Sequence, residues 1–521
     1  MVYMNPQHRL LFLGGSLSAL TIAAAPGAVV QTSSAQRPNI LFILCDDMGY
    51  GDLGCYGQPY IRTPYLDAMA REGMRFTQAY AGSPVSAPSR ATLMTGQHSG
   101  HTWVRGNREY WGGHAQANLY GTNTDYTVVG QEPYDTAHVV LPEVMKRNGY
   151  TTGMFGKWAG GYEGSASTPC TRGVDEFFGY ICQFQAHAYY PNFLNRYSPS
   201  RGDHDVVRVV LDENIRHGMP VSPTYGQRTQ YSADLIHREA MAWLEARAAE
   251  PSQPWCGIFT YTLPHAELFQ PRDSILESYQ QLFGADERVF GGNRGSWYHN
   301  TDCAHAQFAA MITRLDAYVG EILALLDARG MAENTVVIFT SDNGPHEEGG
   351  ADPAFFGRDG CLRGIKRSTY EGGIRIPFIV RWPGHVAAGR VNDHLLAFYD
   401  LLPTFCDLIG DGSFPQAYLN PRVADDCFDG ISFAPTLLGD DARQEVHDHL
   451  YWEFHETDML GVRRGDWKLV VQCGQCRLYN LATDIHEDHD LARRHPDVVE
   501  ALTAIIRAEH TPSELFKVTI P

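Results

Sequence analysis

The apolar run at residues 40–44 (ILFIL) ends in Asp46, Asp47 and Gly49, and residues 336–339 (VVIF) repeat the design, ending in Asp342, Asn343 and Gly344. Hydrophobicity that is continuous rather than alternating predicts strands buried on both faces, the pattern of a parallel sheet. Two such strands that finish in oxygen-bearing side chains predict an α/β fold with a site at the strands' carboxyl ends. Residues 378–380 predict a further core strand. Apolar residues at three- and four-residue spacing predict helices over 64–73 and 305–330, with Gly330 as the stop of the second. Residues 267–300 show little periodicity and are expected to form a long loop or lid. After about Arg443 the pattern changes to short strands (HLYWEFHE, GVRRGDWKLVVQ, RLYNL) and a final helix-like stretch, PDVVEALTAIIRAEH. This predicts a large domain over 36–442 and a small α+β domain over 443–521 with a small antiparallel sheet.

The N-terminus adds a different signal. Arg9 precedes an apolar run from Leu10 to about Ala25, followed by small residues, the order of a secretory signal peptide over 1–35. Gly14, Gly15, Ser16 and Ser18 dilute that run below the length of a transmembrane helix, and no later segment is long enough to span a bilayer. Export is therefore expected, with no stable membrane span. The formal charge of −19 disfavours a general nucleic-acid-binding surface. An anionic substrate would need a local basic pocket, for which Arg90, Lys157 and Lys366 are the candidates. The eleven cysteines are an odd number, and Cys473 and Cys476 form one CxxC that reads as a bridged or reduced hairpin turn without assigned function.

Candidate chemistry gathers at three places. In SPVSAPSRATLMTG (83–96), Ser86 or Ser89 suits a helix cap and Pro88 a first helical position. Asp46, Asp47, Asp342 and Asn343 offer four oxygen donors that suit a hard cation, Ca2+ or Mg2+, and the absence of thiolate and imidazole from these motifs argues against zinc. Taken singly, CDDMG and SDNG read as Asx turns, each lysine as a solvated surface group, and a lone histidine as a structural hydrogen bonder.

Together these residues carry a resemblance. SAPSRATLMTG resembles the sulfatase signature, in which Cys or Ser is followed by any residue, Pro, Ser, Arg and, further on, Thr-Gly. NILFILCDDMGYGDLGCYG, GMFGKW, YTLPHAE, IFTSDNGPH and IKRSTYEGGIRIPFIVRWPG look like sulfatase blocks in family order, and YWEFHE, GVRRGDWKLV and LYNLATDIHEDHDLA resemble the family's C-terminal domain. The resemblance implies an alkaline-phosphatase-like fold, a large mixed, mostly parallel sheet sandwiched by helices. It implies that Ser86 is oxidised after translation to formylglycine (3-oxoalanine), whose hydrate is the nucleophile; a plain serine hydroxyl is weak at neutral pH. It implies a metal, calcium before magnesium, held by Asp46, Asp47, Asp342, Asn343 and the modified Ser86. Arg90 would steady the hydrate, Lys157 and Lys366 would neutralise the sulfate, and His265 would be the general acid.

Two departures from the family pattern carry consequences. Serine rather than cysteine at position 86 implies a radical sulfatase-maturing enzyme of the anaerobic type. In GKWAGG, Ala159 stands where the family commonly has histidine, and His187 is a candidate substitute. His101, Arg105 and Asn107 could line the substrate cleft or serve packing. Trp103, Trp111, Tyr189 and Tyr190 could stack on a ring or belong to the core. The expected activity is hydrolysis of sulfate esters, with a sulfated carbohydrate as the substrate. The alternatives are a phosphatase or phosphodiesterase using unmodified Ser86, and a non-catalytic glycan-binding descendant.

Overall fold

The computed structural model describes residues 37–110, 130–216, 219–220, 229–290, 298, 300–357, 362–423 and 426–521. The segment expected to be a signal peptide, and Trp111, lie outside the described residues. Arg37–Pro521 forms one compact unit.

Its centre is a ten-stranded sheet. In chain order the strands are β1 (Asn39–Cys45), β2 (Met74–Phe76), β3 (Thr151–Lys157), β4 (Glu176–Tyr180), β5 (Phe193–Tyr197), β6 (Val207–Val210), β7 (Trp255–Thr260), β8 (Thr335–Ser341), β9 (Phe378–Arg381) and β10 (Arg390–Asn392). Across the sheet they run β10-β2-β9-β8-β1-β7-β3-β4-β5-β6. The central strands β8, β1, β7, β3 and β4 are mutually parallel. Toward the edges, β9, β2, β5 and β6 pair antiparallel. Cys45 pairs with Ser341, so β1 and β8 end level and place their acidic residues side by side.

The reason for the unbroken apolar runs is visible in the packing. On β1, Leu41 and Ile43 enter one core while Ile40, Phe42 and Leu44 enter another. On β8, Val337 and Phe339 join the first and Val336 and Ile338 the second. The first core takes helices α1 (Pro64–Glu72), α4 (Ser232–Ala248), α5 (Ser274–Phe283) and α6 (Ala304–Ala328); the second takes α2 (Ser86–Thr95), α3 (Leu141–Arg147) and α7 (Leu401–Ile409). A strand between two helical layers gains about 1.5–3 kcal/mol for each large apolar side chain buried, on either face.

The C-terminal part is an antiparallel meander, β11 (Leu450–Phe454), β12 (Met459–Arg464), β13 (Trp467–Gln472) and β14 (Gln475–Asn480), covered by α8 (Pro496–Glu509). Cys473 and Gly474 make the two-residue turn between β13 and β14 with φ of 47° and 73°. The CxxC is thus an unbridged hairpin turn, and the described cysteines are all free thiols.

Two expectations are corrected, and one open choice is decided. Residues 267–300 do not form one long loop: α5 occupies 274–283, capped by the Asp273 side chain, which accepts from the Ile275 and Leu276 N–H groups. Neither Ser86 nor Ser89 caps α2. The cap position is Val85, Ser86 is the first helical residue and Pro88 the third. Of the two roles open to Tyr189 and Tyr190, the structure gives them the core: both are buried in the first core. No helix among the described residues is long and apolar enough to cross a membrane.

Candidate active site

The carboxyl ends of β1 and β8, the amino end of α2, the end of β3, and the loops at 261–267 and 363–370 meet at one point. Ser86 begins α2, which ends at Gly96 in the left-handed region (φ 69°). Its Oγ donates to Asp46 Oδ1 at 2.9 Å. That contact is why the serine does not cap: its hydroxyl is used across the cleft. The Ala87 N–H instead donates to Asn107 Oδ1 at 3.2 Å.

Arg90 lies one turn further along α2 and is buried. It pairs with Asp342 Oδ2 at 2.9 Å, donates to the Lys157 carbonyl at 3.1 Å and reaches Asp46 Oδ2 at 3.5 Å. Lys157 closes β3, where Gly156 lets the strand run so near Thr260 that a Cβ would sit 2.0 Å from its carbonyl oxygen. Lys157 Nζ donates to Asp46 Oδ2 at 2.5 Å. Lys366 Nζ mirrors it, donating to Asp47 Oδ2 at 2.8 Å. Each aspartate of the DD pair therefore carries its own buried lysine.

His265 Nε2 is 3.1 Å from Asp47 Oδ2 and 2.9 Å from Lys366 Nζ, while its Nδ1 contacts the Ala266 carbonyl. Nδ1, facing a carbonyl, can only donate there, so Nε2 is the nitrogen turned to Asp47 and Lys366. The buried Tyr189 hydroxyl lies 2.7 Å and 3.0 Å from the Thr262 and His265 carbonyls, fixing the loop. The His187 ring lies against that of His265, tilted by 30° with centroids 4.2 Å apart, and its Nδ1 is 3.3 Å from the Tyr298 hydroxyl. Ala159 is buried with φ of 56°.

The electrostatics are strained in a specific way. Burial raises the Asp46 carboxyl, but Lys157, His265 and Arg90 overcome this and hold it well below the usual carboxylate range. Asp342 goes the other way: burial and the neighbouring Asp46 push it up to about 6. Burial lowers Lys157 against the pull of Asp46. For Lys366, Asp47 and Glu348 outweigh burial and raise it. Burial, then His265, pushes the His187 imidazole well below its ordinary value.

One atom is left over. Asn343 Nδ2 donates to Asp47 Oδ1 at 2.7 Å, but Asn343 Oδ1 is buried without a hydrogen-bond partner. An orphaned buried carbonyl beside three carboxylates fits a divalent cation bound by hard oxygen donors. Asp46, Asp47 and His265 also present ligand atoms within 4.8 Å of one another.

The structure thus brings together Ser86, Arg90, Lys157, His265, Lys366, His187, Asp46, Asp47, Asp342 and Asn343. It sends two candidates elsewhere. Arg105 pairs with the buried Glu453 of β11 at 2.8 Å, and His101 lies with Asp429 at 3.0 Å. Trp103 is exposed and donates to Glu132 at 3.2 Å. The sequence reading missed Glu348, which lies 3.4 Å from Lys366, 2.7 Å from Arg367 and 2.9 Å from the Tyr298 hydroxyl. It missed His346, whose ring stacks on His265 at 5.5 Å. Both lie within six residues of Asp342, in the same strand-end loop.

Comparison with known proteins shows the family. The sulfatase family model matches residues 38–411, and the model for the C-terminal part of N-sulphoglucosamine sulphohydrolase matches 365–509. The chain belongs to the sulfatase family. This sulfatase is 31% identical to N-acetylgalactosamine-6-sulfatase of Mus musculus over 87% of the chain and 74% of that protein. It is 26% identical to N-acetylgalactosamine-6-O-sulfatase of Bacteroides thetaiotaomicron over 92% of the chain and 94% of that protein. Among solved structures, Ps i-CgsB in complex with k-i-k-neocarrahexaose superposes with a TM-score of 0.64 at 25% identity, covering 91% of this chain and 92% of that one. The protein is a sulfuric ester hydrolase, with the mixed, mostly parallel sheet and small antiparallel C-terminal domain of its relatives.

Proposed function

We propose that this sulfatase is an exported enzyme that removes sulfate from a carbohydrate, using formylglycine at position 86 and a calcium ion at the strand ends. The observation that carries the reading is the convergence on Ser86 of two lysine-aspartate pairs and one arginine, all buried, at the amino end of a helix. Relatives named for N-acetylgalactosamine 6-sulfate and a structure with a carrageenan fragment support a sulfated sugar as the substrate class. The order of residues 1–35 supports export.

Asp46, Asp47, Asp342, Asn343 and the oxidised residue 86 would hold the ion, which would polarise a sulfate oxygen. Formylglycine at 86, once hydrated, would supply a second hydroxyl and so a route for sulfate to leave. The chain's own groups do the rest. Arg90, fixed by Asp342 and the Lys157 carbonyl, holds residue 86 and the two strand ends in register. Lys157 and Lys366 bring positive charge to both sides of the DD pair, and the start of α2 adds the partial positive charge of a helix amino end. His265 Nε2, held between Lys366 and Asp47, is placed to carry the proton that the departing sugar oxygen needs. His187, whose ring lies against His265, would take the role of the histidine that the family commonly has where Ala159 stands. Serine at position 86 calls for a radical maturing enzyme.

The test is peptide mass of protein from its own host together with turnover on a panel of sulfated mono- and disaccharides. Loss of two hydrogens at Ser86 with desulfation of one panel member is expected. Intact serine in a preparation that nevertheless turns over sulfate esters overturns the formylglycine assignment.

A further inference from the structure

A second cluster of ligating side chains lies in the loop that follows α2, where Cys427, His101 and Asp429 meet. Cys427 Sγ is 3.6 Å from His101 Nδ1 and 3.5 Å from Asp429 Oδ1, and His101 Nδ1 is 3.0 Å from Asp429 Oδ1. A tetrahedral zinc ion with bonds of about 2.3 Å to sulfur and about 2.0–2.1 Å to nitrogen and oxygen holds such atoms roughly 3.3–3.6 Å apart. The two sulfur distances stand in that range, and the 3.0 Å nitrogen–oxygen distance, now a hydrogen bond, would open by about 0.3 Å on binding.

The surroundings orient each ligand. Asp429 Oδ2 accepts the His98 backbone N–H at 2.8 Å, and the Asp429 N–H donates to the Gly96 carbonyl at 2.9 Å. The other nitrogen of His101, Nε2, lies on the side of Glu509, 3.9 Å from Oε2, beyond hydrogen-bond distance. His98 does not belong to the set. Its Nδ1 accepts the Gly100 N–H at 3.1 Å, so its Nε2 carries the proton and donates to Glu509 at 2.9 Å.

Access is open. His101 and Cys427 line a cavity of about 780 Å³, walled also by Trp103, Arg105 and the 511–515 segment, which leaves a route in and room for a fourth ligand.

We propose that Cys427, His101 and Asp429 form a zinc-class site, distinct from the oxygen-donor site at the strand ends. One sulfur, one nitrogen and one oxygen select a borderline metal, whereas Asp46, Asp47, Asp342 and Asn343 select a hard one. The site ties the segment after α2 to the 427–429 loop, with Glu509 of α8 behind His101.

The experiment uses the whole protein, kept reduced, washed with chelator and held in excess calcium to fill the strand-end site. On adding Zn2+, one equivalent is expected to remain bound to the wild type and none to Cys427→Ser, with sulfatase turnover the same in both. With Co2+ in place of zinc, the wild type is expected to show a thiolate-to-cobalt charge-transfer band. His101→Gln is a second probe should Cys427→Ser fail to fold, and it is expected to lose the zinc. No retained zinc in the wild type, no thiolate band, or equal zinc in wild type and variant overturns the proposal and leaves a hydrogen-bonded cluster only.

Discussion

Among the described residues, two places bury a lysine among carboxylates, and they behave differently. At the seam with the C-terminal sheet, Lys468 lies between Glu371 at 2.7 Å and Glu487 at 3.1 Å, and Glu371 also accepts from Tyr80 at 2.6 Å and from Arg375 at 3.2 Å. Burial raises Glu371, but Lys468, Arg375 and Arg463 overcome this and hold it at about 2. At the strand ends the cations hold Asp46 down, yet Asp342 rises to about 6 and Asn343 Oδ1 has no donor. At the seam Glu487 rises as well, to about 7, but its Oε1 lies 3.1 Å from the Lys468 ammonium. The strand-end site differs in holding a neutral carbonyl oxygen, Asn343 Oδ1, without a donor beside three carboxylates, an arrangement that suits a cation bound by oxygen donors.

The comparison is sharpest if each place is broken separately. Ser86→Ala is expected to reduce turnover roughly 10⁴-fold or more while leaving the unfolding midpoint near that of the wild type, since it removes a nucleophile and no core volume. Lys468→Met should do the reverse. Removing one partner of a buried cluster leaves carboxylates uncompensated and is expected to cost about 3–5 kcal/mol in denaturant unfolding, with kcat of the remaining folded protein unchanged. Lys366→Ala is expected to lower kcat about 10²–10³-fold in steady-state kinetics. His187→Ala is expected to lower turnover about 10²-fold, as for a lost proton-transfer group; unchanged turnover would rule out its standing in for the missing histidine.

The smallest effect concerns pH. Burial pushes the Glu487 carboxyl from 4.5 up to about 7 against the pull of Lys468. The folded state therefore binds this proton more tightly than the unfolded chain, and the contribution to stability is full below about 4.5 and lost as pH rises through about 7. Glu487→Gln is expected to flatten the decline of unfolding free energy between those values. An unchanged slope would show that other groups set it.

Much of the site was legible because its residues sit where local rules place them. Asp46, Asp47, Asp342 and Asn343 follow unbroken apolar runs, and such runs are strands between two helical layers with loops at their ends. Ser86 and Arg90 fall in one short motif. Other residues were illegible for equally physical reasons. Glu348 and His346 follow Asp342 closely, but nothing in their spacing says that the loop folds back onto Lys366 and His265. His101 and Arg105 belong to a conspicuous polar stretch, yet their partners, Asp429 and Glu453, are more than 300 residues away. Tyr189 and Tyr190 offered aromatic faces whose burial depends on helices contributed from elsewhere. The expected loop at 267–300 hid α5 because ten residues are too few for a helical period to stand out.

The sequence by itself determined the α/β sheet, the acidic strand ends and the helix that opens at Ser86, because hydrophobic period and short-range motifs are properties of neighbouring residues. Tertiary structure alone decided which lysine meets which aspartate, that His187 lies against His265, and that Cys427 reaches His101. Those pairings join residues tens to hundreds of positions apart, and their distances exist only once the two cores have closed on either side of the sheet.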